Sequence, residues 1–94
     1  MSDTANQTGG TSSASAPIAT KVLEHVVRSI VDDPTAVVVD TSQSRHRVRL
    51  EVRVGPNDLG RVIGKRGKTA QAIRTVVRVA ALSDGVDVDV DFVD

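Results

Sequence analysis

The residues best placed to do chemistry are Gly64-Lys65-Arg66-Gly67, with Lys68 and Thr69 just after them. Glycines three positions apart let the backbone take positive φ angles and let another backbone approach with no Cβ in the way. If Thr69 opens a helix, its free N–H groups and the positive end of its dipole point back at the turn. Such a turn attracts a phosphate, and Lys65, Arg66 and Lys68 add full charges. The plain alternative is a tight helix–helix turn with solvated cations, and spacing alone does not choose between the two.

Other chemistries find less support. A nucleotide-hydrolase loop needs Gly, four residues, then Gly-Lys-Ser/Thr; Gly67-Lys68-Thr69 supplies the end, but Val62 stands where the first Gly is required. Nothing groups the Ser, His and Asp residues into a catalytic set, so no enzyme is expected. His25 and His46 have no partner at ligand spacing and there is no cysteine, so neither a metal nor a cofactor is expected. Asp87, Asp89 and Asp91 alternate as the wet face of a strand does, which outweighs a cation site. One Phe and no Tyr or Trp leave an aliphatic core and no aromatic platform for stacked bases.

The chain has 94 residues, the size of one domain, and zero formal net charge. That average hides a division. Between Arg45 and Arg78 there are 10 basic residues against two acids, whereas from Asp84 onward there are five Asp and no base. Local sign, more than the total, steers a polyanion. The absence of cysteine suits a reducing cytosol.

The elements that must position the turn read as follows. Residues 1–17 are, between Met1 and Pro17, Ser, Thr, Ala, Gly, Gln and Asn with one Asp, a disordered tail that lacks the basic start and apolar run of a signal peptide. No later stretch has the length of a membrane span. Residues 18–31 read as a helix with Ala19, Val22, Leu23, Val26, Val27 and Ile30 on one stripe and His25 on the surface. Asp32-Asp33-Pro34 stops it. Residues 36–41 read as a strand and 42–44 as a turn. Residues 47–54 are the clearest strand: Val48, Leu50, Val52 and Val54 alternate with Arg47, Arg49, Glu51 and Arg53.

After Gly55-Pro56-Asn57-Asp58 a short helix runs to Gly64, its N-terminus complemented by Asp58. Gly60 within it costs up to ~1 kcal/mol against Ala, which implies close approach of the sheet or a ligand to that face. A second helix spans 69–82, with Ala70, Ile73, Val76, Val77, Ala80 and Ala81 buried and Arg74 and Arg78 side by side elsewhere. Gly85 suits its left-handed cap, and 86–93 closes as a strand with Asp87, Asp89 and Asp91 outward. Arg47, Arg49 and Arg53 should face those aspartates across neighbouring strands. The free basic charge then sits at the glycine turn and its helices.

The run Ile63-Gly64-Lys65-Arg66-Gly67, with Ile73 ten residues after Ile63, resembles the GXXG signature of KH domains, modules that clamp roughly four nucleotides of single-stranded RNA. The element order is similar to the type II arrangement: an α+β domain, αββααβ, with a three-stranded mixed sheet packed against three helices. Its central strand, 47–54, would be antiparallel to the first and parallel to the last. The stretch around Asp58–Gly67 resembles the small single-KH bacterial proteins of the KhpA (YlqC) family, and the resemblance covers residues 18–94.

The resemblance implies that Gly64 and Gly67 shape the turn, that Lys65 and Arg66 contact phosphates, and that Ile63 lies on the groove side where bases pack. Arg61, Lys68 and Arg74 would flank the RNA. Ala70 departs from the Ile found there in many KH domains. The resemblance further implies a cytoplasmic, non-enzymatic RNA chaperone or post-transcriptional regulator, active in cell-envelope growth or small-RNA regulation. Its implied partners are a second copy or a Jag/KhpB-type KH protein. A protein-assembly module, using the first helix or a sheet edge with the turn merely structural, is the alternative.

Overall fold

The computed structural model describes residues 15–44 and 47–93. Their order is α1 (Pro17–Ile30), β1 (Val38–Ser44), β2 (Arg47–Arg53), α2 (Leu59–Ile63), α3 (Lys68–Asp84) and β3 (Asp87–Val93). β2 lies between β1, to which it is antiparallel, and β3, to which it is parallel. This is the expected αββααβ fold with a mixed sheet. Most of the tail expectation lies outside the described residues; within them Ala16 is buried and Pro17 already opens α1.

The core is the predicted aliphatic one. Val48, Leu50 and Val52 of β2 are fully buried between Leu23 and Val27 of α1, Val77 of α3, and Val88 and Val90 of β3. Each fully buried side chain of this kind is worth about 1.5–3 kcal/mol. α1 buries Ala19, Leu23 and Val27, and half-buries Val22, Val26 and Ile30. Two carboxylates tie the helices into this core. Asp84, the last residue of α3, accepts from the amides of Ile18 (3.0 Å) and Ala19 (2.9 Å), two of the unpaired N–H groups that open α1. Asp58, only 2 % exposed, accepts from the amides of Asp32 (3.0 Å) and Asp33 (3.1 Å) beyond the end of α1.

Four details depart from the sequence reading. Pro34 opens a 3₁₀ turn, Pro34–Ala36, so β1 starts at Val38 rather than at Ala36. The turn expected at 42–44 is strand: Ser42 pairs with Arg49 and Ser44 with Arg47, because the ladder to β2 outweighs the turn preference of serine. In α3 the buried stripe is Ala70, Ile73, Val77 and Ala81. Val76 is 49 % exposed because it sits ~100° round the helix from Val77, and Ala80 is half-buried.

The fourth concerns the wet face of the sheet. Arg47 pairs with Asp89 at 2.9 Å and Arg49 with Asp91, each two residues beyond its register partner. Arg53 stands opposite Val93, and its guanidinium reaches Asp40 of β1 at 4.0 Å. These exposed pairs contribute at most about 1 kcal/mol each.

Candidate nucleic-acid interface

The short α2 delivers the chain to Gly64, whose backbone sits at φ 73°, ψ 177°. Essentially only glycine occupies that region. A Cβ there would lie 2.2 Å from Thr69 Oγ1 and 2.9 Å from the Thr69 amide nitrogen, so Gly64 is also packed against the first turn of α3. Lys65–Gly67 form a 3₁₀ turn closed by the Gly67 N–H on the Gly64 carbonyl at 3.2 Å. Gly67 is left-handed, φ 74°, ψ 12°, with nothing within 4 Å of a built Cβ. Arg66 is left-handed too, φ 57°, the only non-glycine residue so placed among those described. A left-handed L-residue costs roughly 1–2 kcal/mol, and what the turn gains from it is an Arg66 side chain directed outward.

α3 opens at Lys68, one residue earlier than expected, directly behind Gly67. Among the described residues no side chain caps its first amides. Lys65, Arg66 and Lys68 are exposed, and none of their side chains has an ion pair or hydrogen bond within the described chain. Three cations, a tight backbone turn and the start of a 17-residue helix therefore converge on one spot.

The other candidates are close by and partly engaged. Ile63 ends α2, half-buried and outside the core cluster. Arg61 places Nη2 at 3.0 Å from Asp32 and Nε at 3.4 Å from Asp58. Arg74 donates from Nε to the Val90 carbonyl of the edge strand β3 and from Nη1 to Gln71, both at 3.0 Å, and its guanidinium lies 5.6 Å from the Phe92 ring centre. Gly60 is exposed with nothing within 4 Å of a built Cβ. The sheet therefore does not explain that glycine. An apolar hollow of about 350 Å3, lined by Val54, Pro56, Leu59 and Val93, opens below α2.

Sequence reasoning missed the role of Asp58. It stands at the N-cap position of α2 yet makes no capping bond there; its carboxylate is engaged by the Asp32 and Asp33 amides and by Arg61. A signal was available in the aspartates that follow α1 and the Gly-Pro-Asn-Asp break, but both read equally well as independent turns.

The family model described as "KhpA/KhpB, KH domain" matches residues 20–92. The RNA-binding protein KhpA of Leifsonia xyli subsp. xyli is 56% identical over 72 residues, 77% of this chain and 92% of that protein. That of Streptomyces coelicolor is 50% identical over 74 residues, 79% of this chain and 90% of the other. Among solved structures the fold is similar to part of a point variant of Aquifex aeolicus Era bound to GDP.AlF4-, with a TM-score of 0.62 at 18% identity, over 82% of this chain and 30% of that one. It is similar also to Era in complex with MgGDPNP and nucleotides 1506–1542 of 16S ribosomal RNA, with a TM-score of 0.61 at 19% identity, over 79% of this chain and 28% of that one. With its matching family model, its two near relatives and its mixed three-stranded sheet, the chain belongs to the KhpA/KhpB family of KH domains.

Proposed function

We propose that this protein binds single-stranded RNA, without catalysis, through the Gly64–Gly67 turn. The observation that carries the reading is the convergence of Lys65, Arg66 and Lys68, none paired within the described chain, on a glycine-shaped turn at the uncapped start of α3. Helix N-termini and exposed amides favour phosphate oxygens, and lysine and arginine add charge-assisted hydrogen bonds. Lys65 and Arg66 hold phosphates, Lys68 supports them, and Ile63 gives the groove side an aliphatic surface. The open face at Gly60 lets the RNA backbone pass close to α2. Arg61 and Arg74 flank the path; Arg61 joins it by exchanging Asp32 for a phosphate.

With Phe92 as the sole aromatic, little stacking energy is available, and binding is weak and tolerant of sequence. The relatives' name, RNA-binding protein KhpA, supports this reading. The same proposal includes the further roles expected from the resemblance: a cytoplasmic RNA chaperone or post-transcriptional regulator that pairs with a second copy or a Jag/KhpB-type protein.

The test is Lys65→Asp with Arg66→Asp. RNA affinity measured by fluorescence anisotropy should collapse while the thermal melt stays within a few degrees of the parent. Retained affinity in that variant defeats the proposal. A second reading, assembly, draws on the apolar outer side of α3, where Val76 and Val79 are 49 % and 61 % exposed. That surface is separate from the turn, so both properties coexist in one chain.

A further inference from the structure

Most arginines around the sheet are committed. Arg47 and Arg49 are neutralised by Asp89 and Asp91, and Arg61 by Asp32 and Asp58. Arg74 is anchored by the Val90 carbonyl and Gln71, neutral groups that leave its charge uncancelled. Arg78 differs from all of these. It is exposed, and it makes no hydrogen bond or ion pair among the described residues.

Arg78 follows Arg74 by four residues and Gln71 by seven, so the three share one side of α3. Together they wall an open trough of about 400 Å3 whose other side is β3 at Asp89, Val90 and Asp91. Arg78 also lines a second depression of about 280 Å3, with Leu82, Val86 and Asp87. The seam between α3 and β3 thus runs along the helix from Gln71 past Arg74 and Arg78 to Leu82. Lys68 opens the same helix three residues before Gln71, and Arg78 lies ten residues on from it, about 15 Å at the helical rise. Along the seam the helical wall carries Arg74 and Arg78 unneutralised, while two of the acids opposite, Asp89 and Asp91, are already paired across the sheet. Asp87, beyond Arg78, repels a polyanion and marks where the track ends.

We infer that the α3–β3 seam is a second backbone-binding tract, in which Arg78 holds a phosphate of an RNA strand that has left the glycine turn. The footprint on this protein is then longer than the roughly four nucleotides a KH turn clamps. The inference rests on the reading of Gly64–Gly67 as the RNA grip, and its test separates the two.

Anisotropy titrations would use oligouridylates of about four and about twelve nucleotides on the parent, on Arg78→Ala and Arg78→Glu, and on the Lys65→Asp/Arg66→Asp variant. Arg28→Glu on α1 makes the same charge change away from the seam and serves as control. The expected result is that both Arg78 variants bind the short oligomer as the parent does and lose affinity for the long one several-fold. Their slope of log K against log salt should flatten by ~0.7 on the long oligomer alone, the loss of one phosphate contact. The Lys65→Asp/Arg66→Asp variant should lose both lengths, and the control neither. Unchanged long-oligomer binding by Arg78→Glu overturns the tract while leaving the turn intact, as does an equal loss on both lengths or on the control. Loss of self-association instead of RNA affinity would assign Arg78 to a protein contact and overturn it too. Failure of the turn variant to lose the short oligomer would defeat the reading beneath it.

Discussion

Gly64 and Gly67 have nearly the same φ but are glycines for different reasons. Gly64 adopts a φ/ψ pair that L-residues avoid and lies against Thr69, so a methyl group there meets both strain and a clash. Gly67 is left-handed with open space around it, a place where Asn is tolerated. Gly64→Ala should therefore cost about 2–4 kcal/mol, strain plus displacement of the α3 start, whereas Gly67→Asn should cost about 1 kcal/mol or less and keep RNA binding. Urea denaturation of both variants checks the order; equal losses would mean that conformation alone decides both sites. The motif was legible in sequence because glycine spacing is a local property. What Gly64 packs against was not, since Thr69 approaches only once α2 and α3 have folded.

Asp58 shows the same limit more sharply. Its carboxylate is buried, holds two amides from the segment after α1, and meets Arg61. Asp58→Asn keeps the shape but turns an amide donor towards a backbone donor, and should cost about 2–4 kcal/mol. Arg61→Met should cost less, because Asp58 keeps both backbone partners. The two unfolding free energies distinguish a carboxylate that organises the loop from one that merely answers Arg61.

At the scale of elements, period decides what a sequence reveals. β2 alternates without fault, and its three apolar residues are all fully buried. α1 repeats at three and four, and its stripe is the one expected. The sequence pattern ends β1 at Thr41, since Ser42, Gln43 and Ser44 carry no apolar period, yet pairing with β2 holds them in strand. α3 has two apolar stripes, one buried and one at Val76 and Val79 that faces water, and the sequence does not say which is which. The link from the end of α3 to the start of α1 was equally hidden, since Ile18 and Asp84 are 66 residues apart. Asp84→Ala should lower stability by about 1 kcal/mol, as loss of an N-cap does, and amide exchange at Ile18 and Ala19 should rise more than in the middle of α1. A uniform rise along the helix would show that the contact holds the whole element rather than its first turn.

For the whole molecule, zero net charge conceals a division of labour. The sheet's wet face cancels arginine against aspartate within the fold, which leaves the turn and the α3 side as the net cationic surface. Two exposed apolar side chains, Val76 and Val79, lie round α3 from Arg74 and Arg78. A second copy covering this stripe would make a two-fold contact of α3 on α3, using the same stripe from both chains. Val76→Glu with Val79→Glu should then shift sedimentation towards the monomer and leave short-oligomer affinity per chain unchanged. Lys65→Asp with Arg66→Asp should do the reverse. If one variant removed both properties, the RNA-binding and assembly surfaces would be one, and RNA would compete with the partner for α3.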